Sequence, residues 1–255
     1  MLEFIDAFLP IGRTNGAVPQ SPTCEREALA LMDRFGVAEA LVYHTVARDS
    51  DAELGNQALT EIASPRLHKV WAFDPTFGLA ESPPQFLERA LAAGARAILV
   101  NPLVRGIRLG RSPRLLDLAA LLETRRIPLL VAWRSWDSGQ DVIDWYELAE
   151  FCRRFPGLPV IAWEHRARSN RPMFDALAAA ANLKVSLSAI WQAQVTPFVC
   201  EQFGADRLVF SLGLPGLDPA AFPAVLAYAE ISETDRRAIA ADTMRRLLEN
   251  ADHAF

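Results

Sequence analysis

Residues 95–134 read ARAILVNPLVRGIRLGRSPRLLDLAALLETRRIPLLVAWR, and this stretch decides the fold class. It begins with an apolar run, 95–101, whose aliphatic residues are typical of a buried strand. A helical run follows at 113–125, where Ser112-Pro113 supplies a capping residue and a first-turn proline. A second apolar run, 128–134, comes soon after that helix. Strand, helix and strand joined by short links indicate a parallel sheet that is covered on both faces.

The same alternation repeats outward from this stretch in both directions. Eight runs have strand character, at 3–8, 38–44, 67–73, 95–101, 128–134, 159–165, 183–189 and 207–212. Helical spacing marks the segments between and after them, at 24–35, 51–63, 83–93, 113–125, 142–154, 172–181, 196–203, 218–229 and 233–249. A doubly wound sheet would normally carry a glycine-rich phosphate turn after its first strand, and the segment from Gly12 to Gly16 lacks that spacing. We therefore predict an α/β fold, a single (β/α)₈ TIM barrel over residues 1–255 with an extra C-terminal helix.

Composition and charge argue against several classes of protein. The 255 residues are 51% hydrophobic, which suits one large core and argues against disorder. The formal net charge is −5 and there is no basic run, so we expect no nucleic-acid partner. No apolar run reaches the roughly 18–20 residues that span a bilayer, and the N-terminus lacks the positive charge of a leader peptide. We therefore expect no membrane association and a cytoplasmic location.

Three stretches of the chain match motifs of one known family. Phe4-Ile-Asp-Ala-Phe-Leu-Pro-Ile-Gly12 fits the pattern Ile-Asp-x-His-x-His-x-Gly, and Pro159-Val-Ile-Ala-Trp-Glu-His165 fits a strand in which Pro-Val-Ile precedes a metal-binding His. Arg207-Leu-Val-Phe-Ser-Leu-Gly-Leu-Pro-Gly-Leu-Asp-Pro219 fits Arg-Leu-Leu-Phe-Gly-Ser-Asp-x-Pro-x-x-Asp-Pro. By these motifs the chain resembles the amidohydrolase-related family of metal-dependent hydrolases. The resemblance covers most of the chain and implies a TIM barrel with hydrolase-like chemistry.

The resemblance fails at the positions of the family's metal ligands. The two His of the opening strand correspond to Phe8 and Pro10 here, and the catalytic Asp of the last strand corresponds to Gly213. The His of the fifth strand corresponds to Ala132 or Trp133, neither of which is a zinc ligand. Since a catalytic zinc needs about three protein ligands, we predict a divergent member that has no metal centre and no other cofactor.

Barrel geometry locates the candidate site, because ligands of such barrels bind where the C-terminal ends of the strands converge. Glu164 and His165 end the sixth strand and are the candidate catalytic residues, since a carboxylate there suits general-base chemistry. Arg134 ends the fifth strand, where its guanidinium suits recognition of a carboxylate or phosphate. Glu164 and Arg134 can equally form a structural ion pair with each other. The other candidate substrate-binding residues are Arg13, His44, Asn101, Trp163 and Ser188.

The register of the resembled metal site predicts which strand residues face the lumen of the barrel. The residues placed inward are Asp6, Phe8, Ala132, Arg134, Glu164 and Gly213. Trp133, Trp163 and His165 would then point toward the helices. A shift of one residue on the sixth strand would instead exchange Glu164 for Trp163 and His165, and the sequence leaves this alternative open. Asp6 is expected to be a framework residue with a hydrogen-bond donor nearby.

Two hypotheses about function remain open at the level of sequence. The first is a metal-independent hydrolase of a lactone, ester or amide, or an isomerase, that acts on a small anionic molecule. The second is a catalytically inactive barrel that binds a ligand or supports a protein assembly, because a fold alone does not confer a function. Related barrels often form homo-oligomers, so we also expect a homodimer.

Overall fold

Eight parallel strands form one sheet in chain order, from β1 to β8. The structure is a computed structural model that describes residues 2–14, 21–76, 81–133, 143–163, 170–188, 190, 192 and 194–254. The strands are β1 (Phe4–Ile11), β2 (Val37–His44), β3 (Leu67–Ala72), β4 (Ala95–Val100), β5 (Leu129–Ala132), β6 (Val160–Trp163), β7 (Leu183–Ser186) and β8 (Leu208–Val209). Each overlaps a strand predicted from the sequence, so the eight-stranded α/β barrel is confirmed.

The seam between β8 and β1 closes the sheet into a barrel. The backbone N–H of Ala7 donates a hydrogen bond of 3.0 Å to the carbonyl oxygen of Phe210, which lies just beyond β8. The pairing of β1 with β2 shifts register between Asp6 and Leu9. Because of this irregularity, two successive side chains, Ala7 and Phe8, both belong to the inner core.

Helices lie between the strands and after them. They are α1 (Glu25–Phe35), α2 (Thr45–Asp49), α3 (Ala52–Ala58), α4 (Pro83–Ala92), α5 (Pro102–Arg105), α6 (Pro113–Arg125), α7 (Trp145–Arg154), α8 (Asn170–Ala179), α9 (Val195–Phe203), α10 (Ala221–Tyr228), α11 (Glu233–Arg237) and α12 (Thr243–Asn250). The short helices α2 and α5 were not predicted, and each begins directly after a strand. No helix among the described residues is both long enough and apolar enough to cross a bilayer.

The starts of α11 and α1 differ in how they are capped. Ser232 caps α11, accepting a hydrogen bond of 3.0 Å from the backbone N–H of Asp235 and donating one of 2.7 Å to its carboxylate. Ser21-Pro22 does not begin α1, which starts at Glu25 after the exposed residue Cys24. Ser232 therefore caps α11 through its side chain, and Ser21-Pro22 belongs to the loop that precedes α1.

Two apolar cores follow from the alternation of side chains along the strands. The inner core fills the lumen and includes Leu41, Leu99 and Leu130. The outer core lies between the strands and the surrounding helices and includes Val42 and Val131, each next in sequence to an inner residue. This alternation is typical of a TIM barrel, whose lumen is packed with side chains rather than open.

The C-terminal helices cover the N-terminal end of the barrel. Ala241, Met244 and Leu248 belong to the inner core together with Ile5 of β1. Between α11 and α12 the chain forms a π-helical segment, Ala238–Asp242. Within this segment the carbonyl oxygen of Ile239 accepts a hydrogen bond of 3.1 Å from the backbone N–H of Phe210. The extra helix is therefore bonded to the chain at the end of β8, beside the barrel seam.

Candidate functional site

Three aromatic side chains pack against one another inside the lumen, near the C-terminal ends of their strands. The rings of Phe8 and Trp163 are stacked, with centroids 4.5 Å apart and an angle of 11° between their planes. Tyr43 meets the indole of Trp163 edge-on at 5.1 Å. All three side chains are buried. We call Phe8, Tyr43 and Trp163 the aromatic cluster.

The position of Trp163 corrects the predicted register of the sixth strand. Ile161 and Trp163 lie in the inner core, whereas Val160 and Ala162 lie in the outer core. The metal-site register had placed Trp163 toward the helices, so that prediction was wrong for Trp163, which faces the lumen as the alternative register requires. Glu164 and His165, the other residues of that alternative, lie outside the described residues. In the lumen the apolar ring of Phe8 provides the indole with a stacking partner. On the fifth strand the prediction is confirmed, since Ala132 faces the lumen.

A buried arginine lies against the aromatic cluster. Cζ of Arg48, in α2, is 5.3 Å from the ring centroid of Trp163 and 5.6 Å from that of Tyr43. Its Nε lies 2.6 Å from a carboxylate oxygen of Asp49, and its Nη1 donates to the Tyr43 hydroxyl at 3.4 Å. A guanidinium that is stacked on aromatic rings and paired with a carboxylate is well satisfied in the interior. Arg48 therefore holds the aromatic cluster in place, a role that the sequence did not suggest.

Three serine hydroxyls form a second buried cluster, at the C-terminal ends of β7 and β8. The Ser186 hydroxyl lies 2.7 Å from that of Ser188 and 3.0 Å from that of Ser211, and it also accepts a hydrogen bond from the backbone N–H of Ser188. Two oxygen–oxygen contacts use only two of the three hydroxyl protons. One proton, on Ser188 or Ser211, therefore has no acceptor among the residues that the structure describes. We call these residues the serine cluster.

Asp6 joins the two strands at the barrel seam. Its carboxylate accepts a hydrogen bond of 2.9 Å from the backbone N–H of Phe8 and another from the backbone N–H of Leu212. Its second oxygen is buried without a hydrogen-bond partner in the described part of the chain. Because burial disfavours the charged form, the pKa of Asp6 rises from 3.8 to about 7. These contacts are those of a framework residue, and the expected donor is present.

The remaining predicted substrate-binding residues lie on loops and helix starts at the same end of the barrel. The Nδ1 atom of His44 accepts a hydrogen bond of 3.3 Å from the backbone N–H of Val46 and so caps α2. Burial lowers the pKa of this imidazole, which favours its neutral form. The side chain of Asn101 is buried and caps α5 through the backbone N–H of Val104, at 3.2 Å. Arg13 is exposed, and its carbonyl oxygen accepts from the Thr45 hydroxyl at 2.7 Å.

Two further groups fix the rim of the barrel, and sequence reasoning gave them no such role. The side-chain amide of Asn56 pairs with both backbone groups of Ala72, with two hydrogen bonds of 2.8 Å. Arg105 forms an ion pair of 3.2 Å with Asp74 and donates to the carbonyl oxygens of Ala47 and Ser50. The only sign of this role in the sequence is that Asn56, a polar residue, occupies a position on the buried face of its helix.

The candidate catalytic residues Glu164 and His165 lie outside the described residues, and so does Arg134. Glu164 follows directly on Trp163 in the sequence, where β6 ends. The predicted roles of these three residues therefore remain predictions.

The described residues at the family's metal positions do not fit a metal centre. Phe8 offers an apolar ring that is stacked on Trp163, and Pro10 has no ligating atom. Gly213 has a φ of +77°, and a Cβ added to it would lie 2.8 Å from the ring of Phe222 in α10. An aspartate at that position would therefore point toward Phe222. Across the described ranges, no group of three His, Cys, Asp or Glu side chains is arranged to hold a metal ion.

Comparison with known proteins gives one family and several similar folds. A family model described as Amidohydrolase matches residues 21–249. An uncharacterised TIM-barrel protein from Bordetella bronchiseptica superposes with a TM-score of 0.75 at 16% identity, covering 98% of this chain and 99% of that one. A dihydroxybenzoic acid decarboxylase from Polaromonas, solved with bound manganese and an inhibitor, gives 0.75 at 14% identity, covering 97% and 96%. A 2,6-dihydroxybenzoate decarboxylase from Rhizobium gives 0.70 at 17% identity, covering 97% and 98%. No protein of curated function matches the sequence.

Proposed function

The chain belongs to the amidohydrolase family, and from this premise we propose that it acts on a small anionic molecule at the C-terminal end of its barrel without the family's metal centre. The proposed reaction is hydrolysis of a lactone, ester or amide, or an isomerisation that begins with removal of a proton. The observation that carries the proposal is the stacking of Phe8 on Trp163, because an aromatic pair stands where the resembled motif has a ligating His.

In this proposal Glu164, which lies beyond the last residue of β6 and so outside the alternation of that strand, is the general base, and Arg134 binds the anionic group of the substrate. A carboxylate at the end of a barrel strand can take a proton from water or from a carbon next to a carbonyl. In either case negative charge develops on the carbonyl oxygen. His165 is the candidate to return the proton to the leaving group or to the adjacent carbon.

A hydroxyl of the serine cluster is the proposed hydrogen-bond donor to the oxygen on which this negative charge develops. The cluster's one hydroxyl proton without an acceptor, on Ser188 or Ser211, is available to an oxygen of the substrate. A preorganised donor that is aimed at an oxyanion stabilises the transition state more than the ground state. Trp163 and Tyr43, which are buried in the lumen, are the proposed apolar contacts of the rest of a small molecule that enters it. A small anion with a reactive carbonyl is the substrate class that these groups favour.

The test compares variants across a panel of small lactones, esters, amides and hydroxy acids that carry a carboxylate. We expect Glu164→Gln to lower kcat by about 100-fold or more and Arg134→Met to raise KM. Glu88→Gln, on the exposed face of α4, is the matched control and should behave as wild type. Ser211→Ala should lower kcat with little change in KM, because the serine proton acts mainly on the transition state.

Metal content is measured on the same preparations. We expect full activity after treatment with a chelator and less than stoichiometric zinc, manganese or iron by elemental analysis. A stoichiometric transition metal whose removal abolishes turnover would refute metal independence. Unchanged turnover in both Glu164→Gln and Arg134→Met would remove these residues from the mechanism.

The second candidate function is a catalytically inactive barrel that binds a ligand or supports an assembly. The packing of Phe8, Tyr43, Trp163 and Arg48 into one buried unit favours it, because such packing gives rigidity whether or not a reaction occurs. A ligand that binds only the folded state raises its stability. A melting temperature that rises with small carboxylates, without turnover of any of them, would therefore favour this second function.

A further inference from the structure

Helix α9 follows β7 in the chain, so it begins at the C-terminal end of the barrel. A helix start carries a partial positive charge and leaves its first backbone N–H groups without intrahelical acceptors. The side chain of Gln194, directly before α9, makes no capping hydrogen bond. The N–H of Val195 donates to the carbonyl oxygen of Gln192 at 3.1 Å, and Pro197 has no N–H. The N–H of Thr196 remains, and it donates to no residue that the structure describes.

The hydroxyl of Thr196 is a second available donor at this helix start. Thr196 is 2% exposed, and its Oγ1 is buried without a hydrogen-bond partner in the described ranges. Thr196 and Val199, about one turn later, form the buried side of α9. Because helical side chains tilt toward the N-terminus of their helix, the hydroxyl is directed toward the helix start, on the side that faces the barrel. A buried hydroxyl without a partner costs free energy, which a bound acceptor recovers.

Thr243 provides a comparison within the same chain. It is also 2% exposed, and its Oγ1 likewise has no partner among the described residues. Its backbone N–H, however, donates to the carbonyl oxygen of Ala238 in the π-helical segment before α12. Thr243 belongs to the C-terminal helices, which cover the opposite end of the barrel. It therefore has the buried hydroxyl of Thr196 without the open helix start.

We propose that the start of α9 binds the anionic group of the substrate through the N–H and the hydroxyl of Thr196. The inference rests on the proposed function and deepens it, because it adds two donors to the guanidinium of Arg134. The ligand class is an oxyanion, a carboxylate or a phosphate, since its oxygens accept several hydrogen bonds and its charge complements the positive helix end.

The surrounding sequence favours an anion at this place. No acidic residue occurs between Asp175 and Glu201, so no carboxylate of this segment competes for the helix start. Ser188 of the serine cluster lies in the same connection between β7 and α9. The proposed donor to the reacting carbonyl and the proposed anion site therefore belong to one connection, which suits a small molecule that carries both groups.

Thermal unfolding with inorganic phosphate or with acetate tests the site without an assay of activity. A ligand that binds only the folded state raises its melting temperature in proportion to its affinity and concentration. Sodium chloride at equal ionic strength is the blank, because it screens surface charges to the same extent. We expect at least one of the two anions to raise the melting temperature of the wild type above the chloride value. A larger effect of phosphate indicates a phosphorylated substrate, and a larger effect of acetate indicates a carboxylate.

Two substitutions of Thr196 separate its hydroxyl from its shape. Thr196→Val should raise the apparent dissociation constant of the more effective anion by about tenfold, whereas Thr196→Ser, which keeps the hydroxyl, should stay within about threefold of the wild type. Thr243→Val is the matched control and should bind the anion as the wild type does. Without anion, Thr196→Val should melt no lower than the wild type, because the substitution removes no hydrogen bond.

A wild type that responds to phosphate and acetate only as it does to chloride would overturn the proposal. So would a Thr196→Val variant that binds the more effective anion as tightly as the wild type. Loss of anion binding that is confined to Thr196→Val supports the site, and if no substrate of the panel is then turned over, the proposed reaction alone is refuted. Turnover with an unchanged KM in Thr196→Val refutes the anion site alone.

Discussion

Replacing Trp163 with alanine is expected to cost a large part of the protein's stability. The indole is 1% exposed, stacks on Phe8, meets Tyr43 edge-on and lies beneath the guanidinium of Arg48. Truncation of a buried tryptophan to alanine typically costs about 3–5 kcal/mol. Loss of the aromatic surface also removes the cation–π contact of a desolvated arginine, which is worth about 2 kcal/mol. We therefore expect Trp163→Ala to lower the free energy of unfolding by the upper end of this range, about 5 kcal/mol.

The stacking itself can be isolated with a double-mutant cycle. Leucine retains much of the apolar volume, so Phe8→Leu, Trp163→Leu and the double variant should all fold. Offset-stacked rings contribute roughly 0.5–1.5 kcal/mol beyond their buried area. We expect a coupling energy of about 1 kcal/mol between the two positions, measured by urea denaturation followed by circular dichroism.

Trp133 supplies the control for this cycle. It directly follows the last residue of β5, and Trp163 is the last residue of β6. Trp133 lies in the outer core, however, on the other side of the barrel wall from Phe8. Phe8→Leu and Trp133→Leu should therefore be additive within about 0.5 kcal/mol. Equal coupling in the two cycles, or none in the cycle with Trp163, would refute the inward position of that indole.

Two further predictions concern the chain near β1 and β8. Gly213→Ala should lower the free energy of unfolding by at least about 2 kcal/mol, because a φ of +77° is strained for alanine and the new Cβ would lie 2.8 Å from the ring of Phe222. Gly110 has open space around it, so Gly110→Ala should change the free energy of unfolding by less than about 1 kcal/mol. The pKa of Asp6 is raised from 3.8 to about 7, so the folded state keeps a proton that the unfolded state loses between these values. Stability should therefore fall by roughly 4 kcal/mol as the pH rises through this window and stay level above it. Asp6→Asn cannot ionise and should lack this slope in chemical denaturation at a series of pH values; parallel profiles for the two proteins would contradict the assignment.

The fold was predictable because its signals are local and repeat many times. Each apolar run between turn residues is a strand candidate, and the eight runs overlap the eight observed strands. Helix α6 begins at Pro113 and ends at Arg125, as the proline and the helical spacing predict. The helices α2 and α5 were missed because each is shorter than two turns and so has no apolar periodicity to read.

The site was less predictable because side-chain direction depends on register. A shift of one residue along a strand reverses which of its side chains face the lumen. The family motif predicts a register for β6 in which Trp163 points toward the helices, whereas Trp163 lies in the inner core. On β1 the irregularity after Asp6 turns two adjacent side chains inward, which strict alternation cannot anticipate. The serine cluster joins Ser186 of β7 with Ser211, which lies two residues beyond β8, and only the pairing of these two strands shows that the hydroxyls meet.

The π-helical segment at residues 238–242 has a consequence for how the molecule is assembled. Its Ile239 carbonyl oxygen accepts a hydrogen bond from the backbone N–H of Phe210, and the Phe210 carbonyl oxygen accepts one from the backbone N–H of Ala7. These backbone hydrogen bonds link the first strand, the end of the last strand and the C-terminal helical region. A ribosome adds Ile239 well over 200 residues after Ala7. The nascent polypeptide therefore cannot complete its native closure before Ile239 has been added, and a product cut short before residue 238 would leave the Phe210 amide without its native acceptor.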